Sequence, residues 1–118
     1  MTDLIAYVSS GPGTIAYVEK VIEGEEFETV FIITNPEFKK EIPKLDNIEV
    51  IVIDNKRVLP EMIEEIKNKL KDKIKIMETA VNIVSGSGKE HMALLSALLK
   101  LGCGIRFVAL TKEGVREV

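Results

Sequence analysis

The sequence predicts an α/β fold: a Rossmann-like three-layer sandwich around a mostly parallel sheet of five to six strands. Two observations lead there. Short, continuously apolar, β-branched runs alternate with stretches whose apolar residues recur at helical spacing. Each run also ends in a cluster of Gly, Ser, Asn or Asp, the punctuation that separates strand from helix. With 118 residues, the chain has room for one domain spanning 1–118.

The elements follow in order. Leu4–Ser9 is a strand, ended by a turn over Ser10-Gly11-Pro12-Gly13. Ile15, Val18 and Ile22 then keep helical spacing up to Gly24, a C-cap position. Thr29–Thr34 is the second strand, closed by Asn35-Pro36, and a short helix or turn through Phe38 leads to the third, Ile48–Ile53. Pro60 suits the first turn of a helix. Leu59, Met62, Ile63, Ile66, Leu70 and Ile74 share one face of it, with Glu and Lys opposite. Met77 and Val81 continue that stripe, so the helix is expected to run to Thr79 rather than yield to an edge strand at Lys73–Ile76. Val81–Val84 is then the fourth strand, Lys89–Leu101 a helix, and Ile105–Leu110 the fifth strand. Thr111–Gly114 turns into a short last strand, Val115–Val118.

Composition narrows the function. Apolar residues make up 46% and charged residues 30%, which suits neither a disordered chain nor a membrane protein. A net charge of −3 argues against holding duplex DNA by bulk electrostatics, while leaving room for a local anion site. One cysteine, Cys103, and one histidine, His91, do not make a disulfide framework or a typical zinc site, and no cofactor or metal is expected. No segment reads as a signal peptide or a membrane span, so a soluble, cytoplasmic protein is expected.

In open parallel sheets, ligands bind beyond the carboxyl ends of the strands, where the strand order reverses. By fold analogy the order is 3-2-1-4-5, which puts the reversal between strands one and four. Their following loops are the two richest in Gly and Ser: Ser9, Ser10, Gly11, Pro12, Gly13 and Thr14 in one, and Ser85, Gly86, Ser87, Gly88 and Lys89 in the other. Such segments present hydroxyl and backbone N–H donors to phosphate oxygens. Each also has a plainer reading as a tight turn, and Ser87 with Glu90 fits a capping box. Lys89 tips the balance, because the first turn of a helix disfavours a cation unless an anion is bound nearby.

The second loop is no Walker A motif, since Ile83 and Glu90 replace its first Gly and its Ser/Thr. The stretch Gly11–Ala16 matches G-x-G-x-x-A for dinucleotides, but Thr34 and Asn35 stand where the partner acid belongs. Asn35 joins the candidate ligand-side residues. His91 points about 200° away from Lys89 and reads as a surface or packing residue. Cys103, Tyr7 and Tyr17 read as packing residues, and Asp54 and Glu78 as isolated carboxylates.

Asn82-Ile83-Val84-Ser85-Gly86-Ser87-Gly88-Lys89-Glu90-His91-Met92, with the helix and the apolar strand Ile105–Val108 that follow, resembles the CARF (CRISPR-associated Rossmann fold) domain. That family carries N-[IV]-[TS]-G-G-[TS]-K at this place and a Ser/Thr/Gly-rich loop after strand one. Here one extra residue separates Asn82 from Lys89, and Gly88 stands where Thr or Ser is usual. The resemblance implies a homodimer that binds a cyclic oligoadenylate, with cyclic tetra-adenylate as the expected ring, in a two-fold cleft during type III CRISPR signalling. Some stand-alone members cut the ring without metal, a ribose 2′-hydroxyl attacking its own phosphate. By the match, Lys89 would neutralise the developing charge, and Ser9 or Ser10 would orient phosphate or ribose. The alternatives are a non-enzymatic sensor domain of an effector or transcription factor, and an NAD- or mononucleotide-binding protein using Gly11–Ala16.

Overall fold

The computed structural model describes residues 2–9, 12–74 and 78–118. Its strands are β1 (Thr2–Val8), β2 (Phe27–Thr34), β3 (Ile48–Val52), β4 (Glu78–Asn82), β5 (Gly104–Thr111) and β6 (Gly114–Glu117). The helices are α1 (Pro12–Gly24), α2 (Leu59–Leu70) and α3 (Gly88–Lys100), and a 3₁₀ turn at Lys39–Glu41 serves as the connection expected near Phe38. The strands form one six-stranded sheet in the order β3-β2-β1-β4-β5-β6, parallel except for the β5–β6 hairpin. This is the expected Rossmann-like α/β sandwich, and the assumed 3-2-1-4-5 order holds.

The period of two along each strand divides the core between the two faces. Leu4, Ala6 and Val8 of β1, with Val30 and Ile32 of β2, pack with Val18 and Val21 of α1. Ile5 and Tyr7, with Phe31 and Ile33, pack with Met62, Ile66 and Leu70 of α2 and Ala93, Leu94 and Ala97 of α3. Both faces of β1 are buried, which is why its sequence is a continuous apolar run.

The expected long helix is corrected. α2 stops at Leu70, where the N–H groups of Lys73 and Ile74 fold back onto the Leu70 carbonyl. Thr79 and Val81 belong to β4, which pairs Ala80 and Val81 with Leu4 and Ile5 of β1. Ile74 still packs on the α2–α3 side, so the stripe outlasts the helix that was inferred from it. Lys75–Met77 lie outside the described residues, as do Ser10 and Gly11. Two loop boundaries move as well. α1 already begins at Pro12, so Pro12, Gly13 and Thr14 belong to its first turn; β4 ends at Asn82, which leaves Ile83 and Val84 in the loop.

α3 closes as glycine chemistry requires. Gly102 has φ +80°, Gly102 N–H donates to Leu99 O, and Cys103 N–H donates to Leu98 O. At the β3 edge of the sheet, Lys69 Nζ donates to the Val52 carbonyl at 2.7 Å, and Lys73 pairs with Glu49 at 2.9 Å. Among the described residues no helix is long and apolar enough to cross a membrane.

Candidate functional site

β1 and β4 lie side by side at the reversal of strand order, so the segments leaving them meet. Ser9 N–H donates to Ser85 Oγ at 3.1 Å, joining the two Ser/Gly loops directly. Thr34 at the end of β2 donates its hydroxyl to the Val8 carbonyl, which fixes the neighbouring strand end as well.

The residue that organises this cluster is Glu90, which the motif reading treated only as a helix cap. It is 4% exposed. The capping box is complete, with Glu90 N–H donating to Ser87 Oγ and Ser87 N–H donating to Glu90 Oε1 at 2.9 Å. Beyond the cap, Ser9 Oγ donates to Glu90 Oε1 at 2.6 Å, and Asn55 Nδ2 donates to Oε2 at 3.0 Å. Three loops therefore converge on one carboxylate. Burial alone would raise the Glu90 carboxyl, but the hydrogen bonds from Ser9, Asn55 and Ser87 outweigh it and hold the group below the usual carboxylate range. Below it lies Tyr7, fully buried. Burial first, and the charge of Glu90 second, push its hydroxyl far above the usual phenol range. Among the described residues the Tyr7 hydroxyl has no hydrogen-bond partner of good geometry.

Gly86 makes this convergence sterically feasible. Its φ is +109°, and a Cβ there would come within 3.1 Å of Glu90 Oε1 and His91 Nε2 and 3.3 Å of Ser9 Oγ. His91 Nε2 lies 2.8 Å from the Ser85 carbonyl. A carbonyl only accepts, so Nε2 carries the proton, and His91 steadies the loop, in keeping with its reading as a packing residue.

Lys89 projects from the first turn of α3 to the β3–α2 loop. Its Nζ donates to Arg57 O at 2.5 Å and to Asn55 O at 3.2 Å. The ammonium thus replaces solvent on two carbonyls beside the site and is itself exposed. Asn35 plays a local part: its Oδ1 accepts from Phe38 N–H at 3.1 Å, holding the turn after β2. Of the expected set, the structure brings together Ser9, Ser85, Gly86, Ser87, Gly88 and Lys89. Gly88 is the first residue of α3, and a Cβ on it would meet open space.

The other singled-out residues have structural places. Cys103 is buried, and burial pushes its thiol up. The Tyr17 hydroxyl accepts from Leu110 N–H at 2.9 Å. Asp54 pairs with Arg57, and Glu78 with Arg106. Among the described residues no three His, Cys, Asp or Glu side chains come together as metal ligands.

Sequence reasoning missed Glu90, Asn55 and Tyr7 as members of the site. The capping-box pattern placed Glu90 at a helix start, but a cap of that kind usually faces water. Its burial depends on Asn55 and Ser9 arriving from remote loops, which no local pattern encodes. No family model matches the chain, and no curated protein matches it.

Proposed function

We propose that this chain is a CARF-type module that binds a cyclic oligoadenylate as a homodimer in type III CRISPR signalling. The observation that supports this reading most is the direct joining of the two Ser/Gly loops, Ser9 N–H to Ser85 Oγ, at the point where an open parallel sheet reverses its strand order. There the first turn of α3 offers backbone N–H groups without intrahelical partners to an anion. Lys89 is exposed and, among the described residues, its ammonium donates to two backbone carbonyls; it is long enough to exchange them for a phosphate. The homodimer is supported by the outer side of α3. Met92 and Leu99, seven residues apart and so on one face, are 57% and 68% exposed, and Val84 beside the loop is 50% exposed.

Ring cleavage is the further activity proposed: a ribose 2′-oxygen attacks its adjacent phosphorus, the P–O5′ bond breaks, and the 2′-hydroxyl proton ends on the departing 5′-oxygen, leaving a 2′,3′-cyclic phosphate and a 5′-hydroxyl. The protein's part is alignment and charge stabilisation. The dinucleotide reading gains no support from the end of β2, where the two residues in the acid's place are Thr34, bonded to the Val8 carbonyl, and Asn35, which accepts from Phe38 N–H.

Isothermal titration with cyclic tri-, tetra- and hexa-adenylate, AMP and NAD tests the ligand class, and chromatography of the incubated mixture separates a binder from a ring-cutting enzyme. Lys89→Ala is expected to weaken ring binding at least tenfold, because a charge-assisted phosphate contact contributes about 1.5–3 kcal/mol. Unchanged affinity in that variant, or binding of none of the rings by the wild type, overturns the proposal.

A further inference from the structure

The polarity of the Ser9 hydroxyl has a chemical consequence. A serine hydroxyl has one proton to donate and two lone pairs to accept with. Glu90 receives Ser9 Oγ, Asn55 Nδ2 and Ser87 N, and two of these three atoms, an amide nitrogen and a backbone nitrogen, can only donate. Two obligate donors, and a carboxyl held below its usual range, go with an ionised Glu90, and so the proton between Ser9 and Glu90 belongs to Ser9. At 2.6 Å the bond is of the short, charge-assisted kind. Ser9 is half-buried at the site and is left with lone pairs only.

We infer that Glu90 sets Ser9 as a hydrogen-bond acceptor, so that Ser9 reads a hydroxyl of the ligand's ribose and not a phosphate oxygen. A phosphate oxygen is itself an acceptor and would face both the Ser9 lone pairs and the negative charge behind them. A ribose 2′-hydroxyl can donate. This rests on the proposed ring-binding reading and narrows it: phosphates fall to Lys89 and the α3 N-terminus, ribose to Ser9. Glu90 is the positioning residue, acting through Ser9, and Gly86 provides the space in which the two meet. A site built around a ligand hydroxyl rejects the analogue that lacks it, because its own polar group is then left unpaired.

The test is a chemical cycle with two probes, cyclic tetra-adenylate and its all-2′-deoxy counterpart, titrated into the full chain. The wild type is expected to bind the ribose ring at least tenfold more tightly than the deoxy ring. Ser9→Ala is expected to weaken the ribose ring and leave the deoxy ring within twofold, so that the discrimination disappears. Glu90→Gln keeps an oxygen where Ser9 and Ser87 donate, and the Asn55 amide can turn to meet its nitrogen, so discrimination of fivefold or more is expected to survive. Glu90→Leu frees the Ser9 hydroxyl to rotate and donate while it keeps its lone pairs, so discrimination is expected to fall below that of Glu90→Gln; should that variant fail to fold, Ser9→Ala alone decides. Equal affinity of the wild type for both rings, or an equal loss for both rings in Ser9→Ala, overturns the assignment and leaves ring binding intact. Binding of neither ring overturns ring binding itself, and this inference with it.

Discussion

Replacing Gly86 by alanine probes the meeting of the loops directly. The residue has φ +109°, beyond the left-handed well near +57° that other residues visit at a cost of about 1–2 kcal/mol. Strain at such a position approaches the upper part of the range of about 1–3 kcal/mol. The new methyl would also sit 3.1 Å from Glu90 Oε1 and His91 Nε2 and 3.3 Å from Ser9 Oγ, tighter than ordinary contact. Each of those atoms belongs to a hydrogen bond contributing about 1 kcal/mol, and at least one must lengthen. Together these predict a loss of about 3 kcal/mol, or a fall of about 12 °C in Tm at roughly 4 °C per kcal/mol for a chain of this size. Gly88, two residues on, is the control: nothing lies within 4 Å of a Cβ there, and its φ is not in the positive range. Gly88→Ala is expected to stabilise by about 0.4–1 kcal/mol through the unfolded chain. Urea unfolding followed by circular dichroism measures both, with unchanged m-values confirming a comparable transition. A Gly86→Ala loss under about 1 kcal/mol, or equal losses at the two glycines, would refute the reasoning.

Three further outcomes follow from other contacts. A Cβ on Gly24 would lie 2.2 Å from Val115 Cγ2, so Gly24→Ala is expected to cost about 1–3 kcal/mol, and Val115→Ala combined with it to cost at least about 1 kcal/mol less than the sum of the singles in a double-mutant cycle. Glu90 titrates below its ordinary value of 4.5 in the folded chain, so its stabilisation is complete above that value and is lost as pH falls through the lower, folded one; acid unfolding curves of wild type and Glu90→Gln should differ at pH 6 and draw together toward pH 3. The proposed homodimer predicts that the wild type sediments as a dimer and that Met92→Glu combined with Leu99→Glu, which places charge on the exposed side of α3, sediments as a monomer with circular dichroism unchanged.

Much of the fold was legible because its signals are local. The unbroken apolar runs of β1 and β2 are what a strand covered on two faces requires, and Ser87 with Glu90 announced the start of α3. The end of α2 was not legible. Apolar residues at 70, 74, 77 and 81 continue a helical stripe, yet Ile74 belongs to a turn and Val81 to a strand that share the same core. Periodicity reports which residues are buried, and different backbones can bury the same ones. The two loops were found because Gly and Ser are conspicuous, and the reversal between β1 and β4 came from a strand order taken by fold analogy, which the alternation of elements does not itself encode. Glu90, Asn55 and Tyr7 come from three separated segments, and their coming together is a product of tertiary folding.

The outermost strand at the β3 end has a bearing on how copies of this protein can meet. An uncovered parallel strand is a ready template for another chain, and an unprotected one invites open-ended stacking. Here Lys69 Nζ sits on a main-chain carbonyl of that strand, and Lys73 is held beside it by Glu49. A newcomer aligning there would have to strip an ammonium from its acceptor and bring its own backbone up against a second positive charge. The β3 margin is therefore guarded against fibre-like growth.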